Sequence, residues 1–142
     1  MKKQINFILL AVMAVFSITF VSCGNDDDEP DSAFVGTWHT ERVDGSLEPY
    51  TEGITYTQLR SDGTYVEVYV DEEDENAYEV THGTWDVSDN ELTMTATTDI
   101  VMAGIPVTYE VKKIEKDKIT LSFLGTTVYL VRVSDSVIEK YL

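Results

Sequence analysis

A single cysteine, Cys23, excludes any disulfide within the chain. Stability must then come from a packed core, which a domain of this length is large enough to build. Cations are scarce: ten Lys/Arg against 26 Asp/Glu leave a formal charge of −16. Such a surface repels phosphate backbones and anionic head groups, which excludes nucleic-acid binding. Only His39 and His82 carry imidazoles. Zinc asks for three or four convergent ligands, so no metal site is expected. There is no Gly-x-Ser-x-Gly elbow, no serine with an evident histidine partner and no carboxylate pair marked by spacing. We therefore expect no enzyme and no cofactor. Amphipathic helical stripes long enough for a crossover are also missing between the strand-like segments, which excludes a parallel α/β sheet.

One long apolar run is present. Lys2 and Lys3 precede Ile5 to Val21, a positive n-region followed by an h-region. The run sits at the lower edge of what could span a bilayer. Small and polar residues close it, and Cys23 stands there: Phe20-Val21-Ser22-Cys23-Gly24. This junction resembles the lipobox of bacterial lipoproteins, although Phe20 stands where that family usually has an aliphatic residue. The resemblance implies a signal peptide over 1–22, cleavage after Ser22 and lipidation of Cys23. Acyl chains add about 0.8 kcal/mol per buried CH₂, so two or three of them anchor a soluble domain to a membrane. Asn25-Asp26-Asp27-Asp28-Glu29 follows. It is similar to the export tag of surface lipoproteins in one group of Gram-negative bacteria. That implies an outer-membrane location with the domain facing the cell surface; the inner leaflet is the alternative. Residues 23–33, with Pro30, read as an acidic tether. Asp31-Ser32-Ala33 resembles an O-glycosylation acceptor of the same bacteria, with Ser32 as the modified residue. After the leader, the eight remaining Lys/Arg face 26 Asp/Glu, a formal charge of −18.

From Val35 the chain reads as strand after strand. Period-2 alternation and β-branched or aromatic residues predict strands over 35–43, 54–60, 64–70, 77–88, 91–97, 105–115, 118–124 and 126–133. Asp62-Gly63, Asp89-Asn90, Lys116-Asp117 and Gly125 punctuate them. The expected fold is all-β: an eight-stranded antiparallel up-and-down meander over 34–142. A barrel is favoured over a sandwich because closure leaves no free edge. Leu92/Met94/Ala96, Val107/Tyr109/Val111, Ile119/Leu121/Phe123 and Val128/Leu130 are expected inward. In the third strand, Val66, Val68 and Val70 oppose Tyr65, Glu67 and Tyr69, and the glutamate places the valines inward. Ser136 and Glu139 stand in capping-box spacing and open a short C-terminal helix with Val137, Ile138, Tyr141 and Leu142 on one face.

Gly36-Thr37-Trp38 on the first strand and Arg132 on the last complete a pattern similar to the lipocalin family. More narrowly, the chain resembles short lipocalin-like domains carried by bacterial lipoproteins. Gly63-Thr64-Tyr65 and Gly83-Thr84-Trp85 repeat the strand opening. The resemblance implies a barrel whose floor is plugged by Trp38, with Arg132 over the indole in a cation–π contact worth about 0.5–2 kcal/mol. It also implies a small apolar or amphipathic ligand. We expect Tyr65 or Tyr69, Met94, Tyr109 and Phe123 to line its site. The domain is shorter than a usual lipocalin, so a filled barrel that meets a protein or glycan through its loops is the other reading. Asp71-Glu72-Glu73-Asp74-Glu75 lacks the glycine and alternate spacing of a calcium loop and reads as a solvated hairpin end. Residues 98–106 carry Ile100, Val101, Met102 and Ile105. They form either a lip over the barrel mouth or an extension of two strands around an Ala-Gly turn.

Overall fold

Eight antiparallel strands follow one another in chain order and close on themselves. They are β1 (Gly36–Asp44), β2 (Ile54–Leu59), β3 (Thr64–Val70), β4 (Tyr78–Ser88), β5 (Glu91–Ala96), β6 (Pro106–Ile114), β7 (Lys118–Phe123) and β8 (Thr126–Val133). The computed structural model describes residues 32–45, 53–98 and 103–142. Phe34–Leu142 forms one unit; of the other, Met1–Ala33, only Ser32 and Ala33 are described. Cys23, the leader and most of the tether lie outside the described residues, as do positions 99–102 of the 98–106 segment.

Closure comes from β1 against β8, with Trp38 directly opposite Arg132. No edge is left on the barrel, so every strand finds partners on both sides. The turns explain the meander. Asp89 and Asn90 both have positive φ (52° and 62°), as the tight two-residue hairpin between β4 and β5 requires. β-Bulges fall between Thr40 and Arg42 and between Val111 and Lys113. Each bends its strand and resets which side chains face in.

The floor half of the barrel is solid. Trp38, Leu59, Trp85, Leu92, Ile119, Leu121 and Leu130 pack there with Phe34, which precedes β1. Phe34 and Trp85 lie with ring centroids 6.4 Å apart. Both indoles are satisfied: Trp38 Nε1 donates to the Phe34 carbonyl at 2.7 Å, and Trp85 Nε1 to the Arg60 carbonyl at 2.9 Å. Buried N–H groups need such partners, and here they pin each ring to a neighbouring segment.

The third strand is turned the other way from the expectation. Val66, Val68 and Val70 form a separate outer cluster with Ile138 of α1 (Ser136–Glu139), flanked by Tyr56, Val80 and Tyr141. Tyr65, Glu67 and Tyr69 therefore face the barrel interior, as the lining of the cavities below shows. The physical reason is the short helix. It covers the valine row, so Ile138 is 0% exposed, and an outer face becomes a second small core. The helix itself differs from its expected cap. Its N-cap is Asp135, which makes no side-chain cap. Instead Asp135 Oδ1 accepts from Thr37 Oγ1 at 2.7 Å, and Gln58 Nε2 donates to that same hydroxyl at 3.2 Å. This chain of bonds ties α1 to β1 and β2. Leu142 does not join the apolar face and is 56% exposed.

Candidate ligand cavity

Strand direction sorts the ends of the barrel. The β2–β3, β4–β5 and β6–β7 turns lie at the floor with the indoles. The acidic turn 71–77 and the β7–β8 turn lie at the mouth. At the floor, Arg132 Cζ stands 4.2 Å from the Trp38 ring centroid. Its Nη1 donates to the Val35 carbonyl at 2.8 Å and its Nε to the Lys116 carbonyl at 2.9 Å. The guanidinium thus latches the segment before β1 to the β6–β7 turn. Gly36, at φ +140°, makes room for it, since a Cβ there would overlap Arg132 Nη1.

The described residues leave the mouth half unfilled. A cavity of about 390 Å³ lies there, walled by Tyr69, Tyr109, Phe123, Val43 and Val128, with Thr40, Thr55, Thr126 and Glu67 among its polar groups. A second of about 140 Å³ is lined by Tyr65, Met94, Ala96, Ile105, Val107, Thr81, Glu67 and Tyr109. Glu67 and Tyr109 belong to both walls. All five residues expected to line a ligand site are placed on these cavities: Tyr69 and Phe123 on the larger, Tyr65 and Met94 on the smaller, Tyr109 on both. Tyr109 and Phe123 stand with ring centroids 5.3 Å apart, tilted by 48°.

Glu67 went unanticipated. A carboxylate in a β-strand ordinarily marks the solvent face, and that rule hid it. The usable signal was its place between Tyr65 and Tyr69, the two tyrosines of the same alternation. Inside the barrel, Glu67 Oε2 accepts from Thr57 Oγ1 at 3.1 Å. Its influence reaches Tyr109, whose phenol is pushed up to about 12 by burial and then by the negative charges of Glu67 and Tyr65. The folded state therefore holds the Tyr109 proton where the unfolded chain has lost it. Stability from this group is full below about pH 10 and falls as pH rises through about 12. Among the eight tyrosines, one phenolate should appear late in an alkaline absorbance titration. In Glu67→Gln that last step should move to lower pH; an unmoved step would separate the two groups.

The other singled-out residues lie elsewhere. Ser32 is half-buried in a turn, and Asp31 of its acceptor pattern is outside the described residues. In the acidic turn the side chains close the loop: Asp71 Oδ1 accepts from the Glu73 and Asp74 amides, and Asp74 Oδ1 from that of Asn76. No group of three His, Cys, Asp or Glu side chains fit to hold a metal occurs among the described residues. A groove of about 360 Å³ runs along the outer face by Glu41, Arg42, Glu115, Lys118 and Tyr129. Charges of both signs dominate it, so it offers an apolar body little to bury against.

A closed eight-stranded meander with a plugged floor, an Arg–Trp contact and a cavity toward the mouth is lipocalin-like in architecture. Residues 34–121 match the lipocalin-like domain, and the chain belongs to that family. Among solved structures, a lipocalin-like protein from Bacteroides uniformis is similar at 10% identity, with a TM-score of 0.57 over 71% of this chain and 99% of that one. An uncharacterized protein from Bacteroides eggerthii is similar at 14% identity, with a TM-score of 0.53 over 70% of this chain and 98% of that one. At these identities the likeness is one of fold. No curated protein matches the sequence.

Proposed function

We propose that this domain is a binding protein, not an enzyme, that holds a small apolar or amphipathic molecule in the mouth half of its barrel. The observation that carries the reading is the cavity of about 390 Å³ beside Tyr69, Tyr109 and Phe123. That volume falls in the range of about 300–1,000 Å³ typical of small-molecule sites, and a lining that sets three aromatic rings and two valines beside three threonines and Glu67 suits an amphipathic body. The rim adds apolar surface: Leu124, 75% exposed, and Ile105. Leu124 is held at φ 47°, a conformation a non-glycine residue rarely adopts. That rim also favours the second reading, a module that meets an envelope protein or glycan through its mouth loops.

In the same proposal the domain works on a tether at the outer membrane, facing the cell surface, with Cys23 lipidated. The support is the apolar run ending in Val21-Ser22-Cys23 and the acidic stretch behind it. Mass spectrometry on protein from its native source tests both halves. Under denaturing conditions the chain should begin at Cys23 and carry covalent acyl mass; an unacylated Cys23 would remove the anchor. Under native conditions a further non-covalent adduct should remain. Bare acylated protein would favour the interaction module.

A further inference from the structure

We propose that the occupant of the barrel is an organic cation, a protonated amine carried on an apolar or aromatic body, and that Glu67 selects it. This deepens the ligand-binding reading above and rests on it. Glu67 stands on the walls of both mouth cavities. Tyr69, Tyr109 and Phe123 surround the same space, and aromatic faces attract ammonium groups once water is excluded. Thr57 Oγ1 donates to Glu67 Oε2 at 3.1 Å, and because a carboxylate accepts from several donors at once, an ammonium group can share it. The second acid on the larger cavity is Glu41, exposed at the β1 bulge.

The basic residue on that lining is Arg42. Its guanidinium is engaged on the outer surface, 4.1 Å from the Tyr129 ring centroid and 3.0 Å from Asp44. It pairs across the strands with Tyr129, on the face opposite Val128 and Leu130. An anionic amphiphile entering the barrel would thus meet the Glu67 carboxylate with the Arg42 guanidinium turned away from it. The wider field agrees. The acidic turn Asp71–Glu75 is at the mouth end, and the net charge of −16 draws cations toward the molecule.

Calorimetric titration of the full chain with three probes of one body, phenylbutylamine, phenylbutanol and phenylbutyrate, tests the inference. At neutral pH the amine should bind about tenfold more tightly than the alcohol, and the acid more weakly than either. In Glu67→Gln the amine should fall to the affinity of the alcohol, while the alcohol keeps its own. Glu67→Asp should preserve the ranking. An acid that binds as well as the amine overturns the inference and leaves the binding reading standing. So does an amine advantage that survives Glu67→Gln. Failure of all three probes to bind removes the binding reading itself. The wild-type ranking decides the matter even if Glu67→Gln does not fold.

Discussion

Trp38→Ala should destabilise the barrel by about 3–5 kcal/mol, read by denaturant unfolding. The side chain is 0% exposed and lies at the centre of the floor cluster. Its removal leaves a void in the cluster shared with Leu59 of β2, Leu130 of β8 and Trp85 of β4, whose strands are locked in the closed ladder and cannot collapse inward without breaking register. Two further losses add to the void. The Phe34 carbonyl gives up the indole N–H that donates to it at 2.7 Å. Arg132 loses the ring beneath its guanidinium. Because the lost contacts converge on the segment before β1, Trp38→Phe should recover part of the packing but not the bond to Phe34. A change under about 0.5 kcal/mol would mean that the floor is held by something else.

Gly83→Val should be comparably damaging, about 3 kcal/mol or more. Gly83 pairs with Tyr65 on β3 and with Ala96 on β5. A Cβ at this position would overlap the Thr95 carbonyl oxygen and the Tyr65 ring. The first of these is ladder backbone, which cannot step aside as a flexible side chain could. The tyrosine lies over its cross-strand glycine, an arrangement that fills the missing side chain with an aromatic ring. Shrinking Tyr65 to alanine alongside Gly83→Val should therefore relieve only the ring's share of the clash. A full rescue by that second change would show that the Thr95 carbonyl yields after all. Thermal unfolding of the single and double variants separates the two outcomes.

Much of this architecture is legible in the sequence. Period-2 alternation and paired turn residues give strand boundaries that fall within a residue or two of the observed ones. They do so because each hairpin is a local event with its own turn chemistry. The inward rows Leu92/Met94/Ala96 and Ile119/Leu121/Phe123 read directly, since the opposite positions are threonine and serine. The third strand did not. Both of its faces are apolar or aromatic, and the face that holds the glutamate is the inner one. Only a tertiary contact, Ile138 of α1 over Val66, Val68 and Val70, explains how three valines can be buried outside a barrel. The cavity wall was half legible for the same reason. Its tyrosines and Phe123 announce themselves by size, whereas Glu67 follows the strand's orientation. The two bulges were invisible because an extra residue in a strand leaves no mark on composition.

The division of the barrel into a solid floor and a receptive mouth is the claim on which the rest depends. Chemical-shift mapping with phenylbutanol, which carries no charge, probes it without invoking Glu67's preference. Saturation should shift the signals of Thr55, Tyr109 and Phe123 at the larger cavity. The Trp38 and Trp85 indole N–H signals, bonded to carbonyls at the floor, should stay in place. Shifts centred on the outer cluster of Val68, Ile138 and Tyr141, or no shift at all at saturating probe, would contradict the account.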